Sequence, residues 1–400
     1  MQTPDYMTAK EAAAELNVSL ATLYAYVSRG IIRSEAKAGT RTRRYLAADI
    51  HALADKSKIT TRHNDETHRL SFGAPVLESE ITFIDGQRLY YRGRDAADLA
   101  ISRENLESVA ALIWDCEASS CFLEPLPDLP DTSELITDGM IDRQPLICCQ
   151  ALLPLIGQRD IRAYDFSLQG AARTGAMVLR LMVALITRTQ PSVNPVHETL
   201  AGGWQVEAYT GLIRAALILA ADHELNASTF TVRIAASAGA SIYQAVAAGL
   251  ATLQGARHGG EIERTFRLLQ EIRGEAQDPA EIVAGWMRRG DIVPGFGQTL
   301  YQQADPRAQV LLGLMQQQNC SEQQEHLLKA VKVMETVVGR ALNFEGALAV
   351  MMMYLDLSAT EGLCVLAIGR TVGWVGHAIE QYQDHKLIRP RARYVGLRQG

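Results

Sequence analysis

Two histidines and three arginines stand in contexts that could do chemistry. They are His223 in Asp222-His223-Glu224, His258 in Gly255-Ala256-Arg257-His258-Gly259-Gly260, Arg307 after Asp305-Pro306, Arg370 in Arg370-Thr371-Val372-Gly373-Trp374, and Arg389 in Arg389-Pro390-Arg391. An imidazole can donate or accept a hydrogen bond near neutral pH, and a guanidinium presents a rigid fork suited to holding a carboxylate. Each also has a plainer explanation. His223 fits a helix C-terminus, where partial negative charge favours an imidazole. Gly255 to Gly260 makes a loop, and isolated arginines are mostly solvated. Spacing alone therefore identifies no site.

The elements that must position these residues can be read from the rest of the chain. Its 400 residues exceed what one compact core usually holds, so two or three domains are expected. An apolar fraction of 48% and a charged fraction of 21% describe an ordinary soluble protein. No uninterrupted apolar run approaches membrane-spanning length, and Met1-Gln2-Thr3-Pro4-Asp5 is not the start of a signal peptide, so a cytoplasmic protein without a membrane partner is expected. The six cysteines show neither a disulfide-dense pattern nor metal-ligand spacing, which implies reduced thiols and no metal. Net charge is −6, but residues 1–60 carry nine Lys/Arg against six Asp/Glu, a balance of +3 that leaves about −9 elsewhere.

Thr8 with Glu11 makes a capping box for a first short helix, and Asn17-Val18-Ser19 turns into a second that runs to Gly30. Ile31-Ile32-Arg33 and Arg43-Arg44-Tyr45-Leu46 then read as a small hairpin, with Asp49 positioned to cap a third helix. A polar linker follows, and Asp85-Gly86 lies between two apolar runs as a hairpin turn. Later segments are helical in period: 161–188, 207–221, 230–253, 261–273, 322–338 and 361–382. The fold class is mainly α.

The order of the polar segments resembles the citrate synthases. Leu89-Tyr90-Tyr91-Arg92-Gly93, His223, His258, the Pro294-Gly295-Phe296-Gly297 loop, Asp305-Pro306-Arg307, Asn343-Phe344, Arg370 and Arg389-Pro390-Arg391 follow that family's sequence, so the likeness covers about residues 70–400. Residues 5–55 resemble the winged helix-turn-helix module of the MerR and excisionase type. These resemblances imply a winged module at 1–58, a linker at 59–69, and a two-domain helical body with a large domain at 70–229 and 334–400 and a small domain at 230–333. They also imply condensation of an acyl-CoA, acetyl-CoA or similar, with oxaloacetate or a related 2-oxo acid, with acyl-CoA as co-substrate and no permanently bound cofactor. His258 would stabilise the enol, His223 would contact the 2-oxo acid, and Arg307, Arg370 and Arg389 would clamp its carboxylates, Arg389 reaching the partner's site in a homodimer.

Two positions depart from the pattern. Gln298 stands where the family carries the histidine that polarises the ketone, and Asn343 where it carries the aspartate base. An amide is no base at physiological pH, and loss of one general base typically lowers a rate by about 10²–10⁴. Glu345 is offset by two residues from Asn343, which on a helix turns it toward nearly the opposite face, solvated or salt-bridged. A slow or altered transferase is the leading expectation. The alternative is a non-catalytic paralogue that binds a dicarboxylate and acts as a DNA-binding regulator or a supporting subunit. In that reading Thr22 and Tyr24 would face bases, and Arg29, Arg41, Arg43 and Arg44 the phosphates, with Arg33 and Lys37 adding charge opposed only by Glu35.

Overall fold

The computed structural model describes residues 6–16, 23, 27, 32–36, 43–50, 77–122, 144–273, 278–392 and 394–397. Chain contacts divide it into two units, Met1–Glu78 and Ser79–Gly400.

In the first unit the helix Ala9–Glu15 starts at the expected capping box: the Thr8 amide donates to Glu11 Oε2 at 2.8 Å and the Glu11 amide to Thr8 Oγ1 at 3.3 Å. Leu23 and Val27, both helical, pack with Ala12, Ala13, Ile32, Tyr45 and Ile50 in a small core. The hairpin forms later than expected. Ser34–Ala36, not residues 31–33, pairs antiparallel with Arg43–Leu46, because Ile32 is drawn into the core instead. Tyr6–Met7 pairs along the other edge of Arg43–Leu46, a strand the sequence did not announce. Asp49 does not cap a helix. It lies within helical residues 47–50 and accepts from the backbone N, Nε and Nη2 of Arg33 at 2.9, 2.9 and 2.7 Å, which pushes its carboxyl down to about 2. Arg33 is thus opposed by Asp49, not left to a basic surface. Thr22, Tyr24, Arg29, Lys37, Arg41 and the 59–69 linker lie outside the described residues.

The second unit opens with the expected hairpin, Thr82–Ile84 against Leu89–Tyr91, with Asp85 Oδ1 accepting the Gln87 and Arg88 amides in the turn. A helical assembly follows, centred on Ala359–Asp384, which packs against Leu106–Trp114, Leu168–Thr187, Thr210–Ala220, Ala227–Ser237 and Ile242–Leu253. Glu322–Val338 fills its expected 322–338 span, whereas two expected runs are broken. Residues 161–188 form a 3-10 turn, Ile161–Tyr164, and then Leu168–Thr187 capped by Ser167. Residues 230–253 form parts of two helices, Ala227–Ser237 and Ile242–Leu253, separated at Gly239 (φ +79°) and restarted by a Ser241/Gln244 capping box. Alanine-rich periodicity continues across both sides of that turn, so the pattern hides it. Two helices, Leu168–Thr187 and Ala359–Asp384, do reach membrane-spanning length and hydropathy, but 89% and 94% of their apolar windows are buried inside the body, as core helices are.

Close packing against Ala359–Asp384 sets the position of residues 217–222. At Gly373 an added Cβ would lie 2.3 Å from Asp222 Oδ1 and 2.5 Å from the Ala221 carbonyl, and the Gly373 amide donates to that carbonyl at 2.9 Å. Only glycine permits this approach. Asp222 is then held from several sides, accepting from Thr82 Oγ1 at 2.6 Å and lying 3.4 Å from His377 Nε2.

Candidate active site

Arg307 and Arg370 are both buried, 1% and 2% exposed. Arg307 enters in the first turn of Pro306–Gln316, where Asp305 is the N-cap and also binds Arg307 Nε at 3.0 Å and Nη2 at 2.7 Å. The Phe344 ring lies 4.6 Å from the guanidinium. Burial alone would lower the Arg307 pKa, but Asp305 and Tyr301 hold it above the ordinary arginine value. Its Nη1 is buried without a hydrogen-bond partner among the described residues. Arg370 projects from the middle of Ala359–Asp384 and donates Nε to the Ala220 carbonyl at 2.9 Å, which leaves its terminal N–H groups without an acceptor among the described residues. Burial and the neighbouring Arg307 depress its pKa, while Asp222 opposes them.

The histidines share this field. His223, 8% exposed, follows the Thr210–Ala220 helix as expected, and its Nε2 is 2.9 Å from the Tyr301 hydroxyl. Burial first, then Arg307, Arg370 and His258, hold it well below the ordinary histidine value. His258 precedes Gly260–Arg273, half-buried, with Nε2 2.9 Å from Ser228 Oγ. Burial and then Arg370 push it down to about 4. Both imidazoles are neutral at pH 7. His223 thus lies in the field of Arg307, Arg370 and His258, and Arg370 acts on His258 as well, which brings these four residues, far apart in the chain, into one neighbourhood.

The loop that leads to Gln298 meets Asn343. The Asn343 amide donates to the Gly295 carbonyl and the Gly297 amide to the Ala341 carbonyl, each at 2.9 Å, so the Pro294–Gly297 loop and residues 341–343 form a short ladder. Gly295 and Gly297 make this possible with φ of +87° and +79°. Asn343 is the N-cap of Phe344–Tyr354: Oδ1 accepts the Gly346 amide at 2.8 Å, and Nδ2 donates to the Gly297 carbonyl at 3.3 Å. Both ends of this amide have structural partners. Gln298 folds back on its own backbone, with Oε1 accepting the Thr299 amide at 2.9 Å, which leaves its Nε2 as the available donor.

Glu345, the second residue of the helix that Asn343 caps, is half-buried rather than solvated, and its negative charge acts on both Arg307 and Arg370, closer to the charge-paired branch of the sequence expectation. Arg389 sits exposed in the segment after Ala359–Asp384 and makes no hydrogen bond or ion pair among the described residues. Sequence reasoning missed Tyr301 and Ser228. Tyr301 hid in a stretch notable only for lacking charge, and Ser228 in the Ala227–Ser237 helix carried no pattern.

These positions can be set beside known proteins. Residues 156–391, more than half of the chain, match the model for the citrate synthase C-terminal domain. The chain belongs to the citrate synthase family. A citrate synthase of Haloferax volcanii is 28% identical over 360 residues, covering 81% of this chain and 94% of that protein. A 2-methylcitrate synthase of Shewanella oneidensis is 26% identical, covering 78% and 90%. The crystal structure of citrate synthase from Pyrobaculum aerophilum shares the fold, with a TM-score of 0.68 and 23% identity over 81% of this chain and 91% of that one. Residues 6–58 match a helix-turn-helix domain model, an addition to the citrate synthase body.

Proposed function

We propose that the citrate synthase body binds a 2-oxo dicarboxylate such as oxaloacetate between Arg307 and Arg370 and condenses it slowly with an acyl-CoA. The observation that carries this reading is the pair of buried guanidiniums whose remaining N–H groups, Arg307 Nη1 and the Arg370 termini, have no acceptor. Arg307 Nη1 is a buried donor without a partner, which is destabilising, and a carboxylate would satisfy it together with the Arg370 termini. In a homodimer Arg389 of the other subunit would complete the clamp.

The enol step falls to His258. The Ser228 hydroxyl lies 2.9 Å from His258 Nε2 and 2.8 Å from Asn226 Oδ1, and its single proton can serve only one of them. Asn226 Oδ1 can only accept, so the hydroxyl proton goes to it and the neutral ring donates Nε2–H to Oγ; to donate to a developing enol oxygen, the ring would exchange this contact for the substrate. His223 and the Gln298 amide would donate to the ketone. Asn343 can hold the acyl group's surroundings in place but cannot take its proton, so the base is water or a distant carboxylate and turnover is slow. His258, Gln298 and Arg307 come from residues 230–333, whereas His223, Asn343 and Arg370 come from the remainder of the body, so closure of one part on the other would assemble the site and exclude water. Both acetyl-CoA and propionyl-CoA are substrates to test, since the relatives include a citrate and a 2-methylcitrate synthase.

The test is thiol release from each acyl-CoA with oxaloacetate, by the native chain and by Asn343→Asp with Gln298→His. Asp caps a helix as well as Asn, so the variant should fold, although its carboxylate would face the Gly297 carbonyl. A gain of about 10²–10³ in rate is expected. No release by either protein would refute a condensing site.

A second reading is favoured by the helix-turn-helix match and by Arg43 and Arg44, which are exposed on the middle strand of the small sheet. The winged unit would bind duplex DNA, and the body would act as a dicarboxylate-sensing regulator or a supporting subunit of an active paralogue. Mobility-shift assays at low salt, with and without oxaloacetate, distinguish it.

A further inference from the structure

We propose that a cleft beside Arg180, separate from the active site, binds a small oxyanion of the phosphate or carboxylate class. Arg180 lies on the Leu168–Thr187 helix and is 6% exposed. Its guanidinium rests over the Phe122 ring, 5.5 Å from the centre, and meets no hydrogen-bond acceptor or ion-pair partner among the described residues. The opposing charge it feels is Glu107, beyond ion-pair distance, whose Oε1 already accepts the Val196 amide at 2.7 Å.

Arg180 is largely buried while its unfilled fork opens onto a cleft, an arrangement that a small oxyanion could complete. The space for one is present. The cleft is small and partly open to solvent, and its walls include Arg180, Arg173, Arg162, Thr174 and Cys121. Two aspartates also line it, but neither makes an ion pair with Arg180. Asp160 accepts from the Arg162 amide and Nε through Oδ1 and from the Tyr243 hydroxyl through Oδ2. Asp165 Oδ1 accepts the Ser167 amide and hydroxyl. Neither carboxylate neutralises Arg180. Arginine's planar fork matches a tetrahedral or planar oxyanion through paired N–H donors, and the Phe122 face beneath it fixes the fork's plane. None of the lining residues belongs to the active site, so occupancy here is independent of the condensing function.

Titration calorimetry on the unaltered protein follows binding of inorganic phosphate, inorganic sulfate or acetate at constant ionic strength, which separates the phosphate class from the carboxylate class. Saturable binding of one class is expected. Arg180→Gln should weaken it at least tenfold. Where Arg180→Gln does not fold, Arg180→Lys, which keeps the charge but loses the fork, should weaken it at least threefold. Absence of saturable binding of all three anions, or binding unchanged in the folded variant, would overturn the proposal.

Discussion

His258 shows how a single residue's surroundings become a property of the protein. Its folded pKa of about 4 lies below the ordinary histidine value of 6.5, so folding favours the neutral ring. The unfolded chain therefore binds the proton more readily, and the associated stability is present above pH 6.5 and lost as pH falls toward 4. The loss from this group is on the order of 3 kcal/mol, and His223 adds in the same direction. Urea denaturation at pH 7, 5.5 and 4.5 should show that decline, with His258→Gln removing part of it; an identical pH dependence in the variant would refute this assignment. Legibility at this scale was uneven. The histidines and arginines were identifiable because their types carry chemistry, but their partners Tyr301 and Ser228 were not, since nothing in a lone hydroxyl's sequence context says which imidazole it will meet. Which branch Glu345 takes, solvated or charge-paired, was not legible because it depends on Arg307 and Arg370, 38 and 25 residues away.

Among the elements, Ala359–Asp384 positions the acceptor site. Its Gly373 lets Ala221 and Asp222 sit against the helix backbone, and His223 follows directly. Gly373→Ala would force a methyl group to 2.3 Å from Asp222 Oδ1, so the 221–223 segment must shift. Overpacking of this kind should destabilise the protein by roughly 1–3 kcal/mol, and oxaloacetate binding should weaken at least tenfold. Urea denaturation and titration calorimetry measure the two effects; full affinity in the variant would show that the helix does not set the site. The sequence showed this helix clearly through its length and periodicity. It showed the break between Ala227–Ser237 and Ile242–Leu253 poorly, because both helices bury alanine-rich faces and the turn's only announcements are Gly239 and the Ser241/Gln244 capping box.

The whole molecule joins a winged unit of local positive charge to an acidic citrate synthase body. If duplex DNA binds along Arg43 and Arg44, replacing both with alanine should reduce the salt dependence of binding by roughly two ions and weaken affinity uniformly across sequences. Salt-titrated mobility shifts test this, and an unchanged slope would exclude these two residues from the phosphate contact. Sequence by itself determined the family-like order of motifs, the mainly helical class, the winged addition and the two amide replacements, because residue identity and periodicity are properties of the chain alone. Tertiary structure decided which groups share a field. The convergence of His223, His258, Arg307 and Arg370, the contact of Asn343 with Gly297 and the seat of Arg180 over Phe122 all depend on contacts between segments tens to hundreds of residues apart, and local sequence holds no record of the energies that bring them together.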